Sequence, residues 1–116
     1  MADGRPTIST HVLDLATGAP ASGVGVALFR LTEENGAPQL LSELETGDDG
    51  RIPDLLAGGV LTAGEYQLAF DIGGYADDPD AFFQSAAVAL RVADATRSYH
   101  VPLLLSPYGL STYRGS

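Results

Sequence analysis

The stretch EYQLAFDI, residues 65–72, decides the reading of the fold. Tyr66, Leu68, Phe70 and Ile72 face one way, with Glu65, Gln67 and Asp71 among the residues between them. Side chains that alternate with a period of two line the opposite faces of a β-strand, so this segment should be half-buried. Working outward, the same logic recurs in short segments bounded by Gly, Pro, Asp or Asn. Downstream, AAVALRV (86–92) sets Ala86, Val88, Leu90 and Val92 against Ala87, Ala89 and Arg91. RSYHVPLLL (97–105) sets Tyr99, Val101, Leu103 and Leu105 against His100, Pro102 and Leu104. LSTYR (110–114) reads as a further strand. Upstream, QLLSELET (39–46) runs into the turn GDDG, which delivers Arg51. VGVALFRL (24–31) is apolar on both faces and suits a central strand. TISTHVLDL (7–15) places Ile8, Thr10 and Val12 opposite Ser9, His11 and Leu13.

Pro102 cannot donate to a ladder, which predicts an edge strand or a bulge at that point. The one place for a helix is a single turn in DPDAFFQS (78–85), capped by Asp78 or Asp80, whereas GGYADDPD (73–80) reads as a turn. Many short strands with turn punctuation indicate an all-β sandwich. At 116 residues, one domain spanning 1–116 with one core is expected.

The net charge is −9, from fifteen carboxylates against six arginines with no lysine. Such a field repels phosphate backbones and anionic lipid, so neither nucleic acid nor a membrane surface is an expected partner. Cysteine is absent, which removes disulfides, thiolate metal sites and thiol nucleophiles. Residues 1–16 lack a basic segment followed by an apolar run, and no stretch approaches 20 apolar residues. A soluble, cytoplasmic protein is the expectation.

Candidate chemistry is sparse. His11 and His100, the two histidines, both sit in strand patterns, where a histidine is more often hydrogen-bonded filler than a catalyst. No ligand spacing suggests a metal site. Taken alone, Arg51 is a charge beside Asp48 and Asp49, and Arg114 and Ser116 are a polar tail. Asp77, Asp78 and Asp80 cluster on one loop as turn formers, and no glycine pattern forms a phosphate cradle.

Three separated motifs carry more. YHVPLLLSPYGLSTYRGS (99–116), STHVLDLATGAPASGV (9–24) and TGDDGRI (46–52) resemble the signatures of the 5-hydroxyisourate hydrolases, the transthyretin-related enzymes of urate catabolism. GEYQLAFDIGGY (64–75) and DAFF (80–83) lie between them, so the resemblance covers almost the whole chain. Gln84, Ser85 and Leu110 depart from the family's usual residues.

The resemblance implies a transthyretin-like β-sandwich of two four-stranded sheets with one short helix. It implies a homotetramer, a dimer of dimers, with sites at the dimer–dimer interface. The implied reaction opens the six-membered ring of 5-hydroxyisourate at a cyclic amide, without cofactor or metal, to give 2-oxo-4-hydroxy-4-carboxy-5-ureidoimidazoline.

By motif, the catalytic residues map onto His11, Arg51, His100 and Ser116, and the substrate-binding residues onto Tyr113, Arg114 and Gly115. One histidine would activate water while the other hydrogen-bonds or protonates the substrate, with His11 preferred as base. Arg51 would stabilise the oxyanion. Ser116 would offer its hydroxyl or the terminal carboxylate, and Arg114 would anchor the tail. The rival readings are a transthyretin-like carrier of a small aromatic ligand, which by the same resemblance lacks this residue set, and a purely structural sandwich.

Overall fold

The computed structural model describes residues 4–32 and 37–115. In chain order its elements are β1 (Ile8–Asp14), β2 (Ala19–Pro20), β3 (Gly25–Leu31), β4 (Pro38–Glu45), β5 (Arg51–Ile52), β6 (Gly64–Asp71), α1 (Ile72–Ala76), β7 (Ser85–Val92), β8 (Tyr99–Ser106) and β9 (Gly109–Thr112). They form two sheets. One has the order β4-β3-β6-β7; the other has the order β2-β1-β8-β9, with β5 also paired to β1.

The second sheet contains five strands in four lanes. β8 occupies one edge of β1, and the two-residue strands share the other, β5 beside Thr10 and His11, β2 beside Leu13 and Asp14. The expected sandwich of two sheets four strands wide is therefore present, with β3 central as expected.

The alternating residues close the core. Ile8 and Val12 of β1 and Leu103 and Leu105 of β8 are buried together with Val26 and Leu28 of β3 and Tyr66, Leu68 and Phe70 of β6. Truncating a fully buried leucine such as Leu28 or Leu68 to alanine costs about 2–5 kcal/mol by lost transfer energy and the cavity left behind. The buried Thr10 hydroxyl donates to the Val101 carbonyl at 2.6 Å, so no polar penalty offsets that packing.

Two local expectations need correction. The short helix lies at Ile72–Ala76, not in 78–85. The Asp71 carboxylate caps it by accepting from the Gly74 N–H at 3.0 Å, and Asp77 ends it in the left-handed region at φ 53°. Gly73 and Gly74 are poor helix formers, but Ile72 is buried in the core, and tertiary packing outweighs propensity over a single turn. Asp78 instead accepts from the Asp80 N–H at 2.9 Å, a two-residue turn that competes with helix.

The second correction concerns Pro102. β8 is not an edge strand, because β1 runs parallel to it on one side and β9 antiparallel on the other. The β9 ladder stops at Leu103 opposite Thr112 and resumes as a bridge between His100 and Gly115. Gly115 N–H donates to the His100 carbonyl at 2.7 Å, and the next bonding pair of that alternation would need an N–H at Pro102. Proline opens a gap in an interior strand, and the Thr112 hydroxyl satisfies the Pro102 carbonyl there at 2.7 Å.

Candidate active site

β1, β5 and β8 bring three of the four motif-derived catalytic residues to one place. Arg51 is the cross-strand partner of His11, and His11 of Pro102; one row away, Ser9 is the partner of His100, and His100 of Gly115. Residues opposite one another in a sheet share a face. Because Ile8, Thr10, Val12, Tyr99 and Val101 point into the core, His11, Arg51, His100 and Ser9 lie on the outer face of the sheet. His11 and His100 are diagonal neighbours, and strand spacing sets their Cα atoms roughly 8 Å apart.

The GDDG turn is built to deliver Arg51. Thr46, buried, donates to the Ala21 carbonyl at 2.6 Å and accepts from the Val24 N–H at 2.9 Å, which pins the start of the turn. Its far end rests on β1, where the Gly50 carbonyl accepts from the Val12 N–H at 2.8 Å. Gly50 has φ +77°, and a Cβ there would lie 2.5 Å from the Val12 carbonyl oxygen, so only glycine fits this approach. Asp49 accepts from the Arg51 N–H at 3.0 Å, and the guanidinium is presented beside His11.

His100 is held on two sides. Its Nδ1 lies 2.8 Å from the Ser9 hydroxyl. Behind the ring, a Cβ added at Gly115 would fall 2.7 Å from Cδ2, so the tail backbone packs directly against the imidazole. Burial foremost, then the positive charge of Arg51 and the neighbouring His11, push the His100 pKa below its ordinary 6.5; a hydrogen bond to the Ser9 backbone works in the opposite direction. At neutral pH this imidazole is uncharged, with a lone pair available.

The tail divides by residue. Gly115 touches the His100 ring, and Tyr113 is exposed next to the Pro102 gap. Arg114 is elsewhere: its guanidinium sits 5.0 Å from the ring centroid of Tyr99, which faces the core side of β8, so it fastens the tail by a cation–π contact. Ser116 lies outside the described residues. Reading the sequence for chemistry missed Ser9. It stands two residues before His11 in STHV, on the same face, but its contact with His100 depends on the register of strands 91 residues apart.

Among the described residues no group of three or more His, Cys, Asp or Glu is placed to hold a metal ion, and no helix is long and apolar enough to cross a membrane. The histidine face is open. Two sizeable concavities lie elsewhere, one of about 290 Å³ between α1, Phe82 and Tyr108, the other of about 600 Å³ over Ala27 and Ala69. Neither is lined by a histidine beside an arginine, a combination that the open face presents.

The HIUase/Transthyretin family model matches residues 8–115. A 5-hydroxyisourate hydrolase of Mesorhizobium japonicum is 47% identical over 99% of this chain and 95% of its own length. The solved 5-hydroxyisourate hydrolase of Klebsiella pneumoniae is 38% identical with a TM-score of 0.79, covering 95% of this chain and 99% of that one. Transthyretin from Sparus aurata superposes with a TM-score of 0.85 at 25% identity, covering 96% and 97% of the two chains. A match from Ile8 to Gly115 takes in both sheets and every site residue described above, and with it the chain belongs to the HIUase/transthyretin family.

Proposed function

We propose that this protein is a hydrolase of 5-hydroxyisourate, opening its six-membered ring at a cyclic amide. The observation that carries the reading is the convergence of an uncharged, clamped His100 with His11 and Arg51 on one sheet face. Backbone likeness alone favours a carrier as much as an enzyme, and the two differ at the site. The higher identity to the hydrolases, 47% and 38% against 25% for the transthyretin, supports the enzyme.

The steps follow from the groups present. A neutral imidazole takes a proton from water as oxygen attacks the amide carbonyl. Arg51 stabilises the oxyanion that develops, worth about 3 kcal/mol for one well-placed donor. The second imidazole delivers a proton to the departing nitrogen as the C–N bond breaks. For the base the geometry favours His100 over the His11 preferred from sequence, because its pKa is lowered and its Nδ1 side is already occupied by Ser9. Tyr113 and Gly115 remain substrate-side candidates, as does Ser116; Arg114 acts as the anchor of the tail.

Assembly completes the site in this reading. An open sheet face excludes water poorly, and a second subunit laid over it would roof the histidines. β7 and β9 each end their sheet, and no strand among the described residues pairs with their outer edges, which another copy could extend. We therefore place the enzyme in a homotetramer, a dimer of dimers with its sites at the dimer–dimer interface, and in the cytoplasm. Substrate generated in situ by a urate oxidase, with ultraviolet decay followed against buffer, tests the activity; light scattering tests the four-chain mass. Decay no faster than buffer from a folded tetramer would return the carrier reading.

A further inference from the structure

We propose that Ser9 is a positioning residue that holds His100 with its ring proton on Nδ1, leaving the Nε2 lone pair to face substrate. This rests on the hydrolase reading and adds to it a residue that the motif comparison did not assign. The parallel register sets Ser9 directly opposite His100, and its hydroxyl reaches Nδ1 at 2.8 Å. A hydroxyl is either donor or acceptor, so that contact alone leaves the tautomer open. The base role proposed for His100 decides it. A lone pair that faces substrate must be on Nε2, because Nδ1 is turned to the Ser9 hydroxyl. The nitrogen on the Ser9 side then carries the hydrogen, and the hydroxyl accepts it.

Packing fixes the ring in that sense. The tail backbone at Gly115 closes the Cδ2 side, where even a methyl group would come within 2.7 Å, so the imidazole is held between the serine and the tail. No described residue bonds Nε2. The nitrogen left over is thus the basic one, and it is on the exposed face that also presents Arg51 and His11. A second-sphere partner that orients a catalytic histidine is worth about 10–100-fold when removed.

The test compares Ser9→Ala with Ser9→Thr, which keeps the hydroxyl on a strand. Long-range proton–nitrogen spectra of the substrate-free tetramer report the tautomer directly, and with two histidines in the chain a His11→Gln sample assigns the signals. The wild type should show the Nδ1–H pattern, Ser9→Ala a mixture of both tautomers, and Ser9→Thr the wild-type pattern. On 5-hydroxyisourate, Ser9→Ala should lose kcat about 10- to 100-fold with KM within about twofold, and Ser9→Thr should recover most of it. A wild-type Nε2–H tautomer, or a Ser9→Ala protein with unchanged nitrogen shifts and kcat, overturns the proposal. If the wild type does not accelerate hydrolysis, the proposed function falls, while the spectra still decide whether Ser9 sets the tautomer.

Discussion

The two sheets bury similar apolar faces and differ on the faces they turn outward. In the first, cross-strand rows read Arg51–His11–Pro102 and Ser9–His100–Gly115. In the second, they read Glu43–Ala27–Ala69–Ala87 and Glu45–Gly25–Asp71–Ser85, small side chains flanked by carboxylates over a concavity of about 600 Å³. Both outer faces are free of the packing constraint that fixes the core, so their residues are open to be chosen for another role. One face carries two imidazoles beside a guanidinium; the other carries alanines among carboxylates. The combination of an imidazole with a neighbouring guanidinium, and not depth, singles out the face that carries the proposed chemistry.

The largest break in this contrast should come from His100→Asn, which removes the proposed base and keeps a polar side chain on the outer face. Turnover should fall about 10²–10⁴-fold with the oligomeric state unchanged, as read from ultraviolet decay of the substrate and light scattering of the protein. A variant within tenfold of wild type would move the base to His11.

Arg51→Met should follow, losing about 10²–10³-fold in kcat. It should also move the acid limb of kcat/KM. In the wild type, burial and then the Arg51 charge hold the His100 pKa below 6.5, so activity persists as pH falls past that value. Without the guanidinium the imidazolium forms more easily, and the limb should shift to higher pH. A shift to lower pH, or none, would separate Arg51 from His100.

Gly115→Ala should be milder, about tenfold in kcat, because its methyl must displace the His100 ring from a 2.7 Å contact. Thermal unfolding should change by a few degrees at most. Ala87→Ser, in the middle of the alanine row, should be smallest: activity within twofold and stability within about 0.5 kcal/mol by denaturant titration. An Ala87→Ser protein that loses activity as Gly115→Ala does would erase the distinction between the two faces.

Much of this contrast was legible before any coordinates. Alternation puts Tyr66, Leu68 and Phe70 on one face and sets His11 and His100 opposite Ile8, Thr10 and Val12 and opposite Tyr99, Val101 and Leu103, because a period of two needs only local sequence; which face of 24–31 is buried is not legible, since both are apolar. What stayed hidden depends on contacts between distant segments. The interior position of β8 could not be inferred from Pro102, whose missing donor is absorbed by a gap in the β9 ladder. Helix α1 was misplaced because Gly73 and Gly74 argue against helix locally, and burial of Ile72 overrides them. Ser9 went unnoticed because nothing in STHV reveals which residue of β8 it faces. Arg114 shares the tail motif with Tyr113 and Gly115, yet strand alternation sends its side chain to Tyr99 instead of the histidines.

The parallel pairing of β1 with β8 also has a kinetic meaning. Ser9 and His100 are separated by 91 positions, and β5 must dock between the syntheses of the two before Arg51 meets His11. Closing such a loop is among the slowest events available to a small β domain. No nascent or half-collapsed chain can hold the complete constellation. Recovery of enzymatic rate during refolding should therefore lag behind the burial of Tyr66 and Phe70, making turnover itself the clock for the final step.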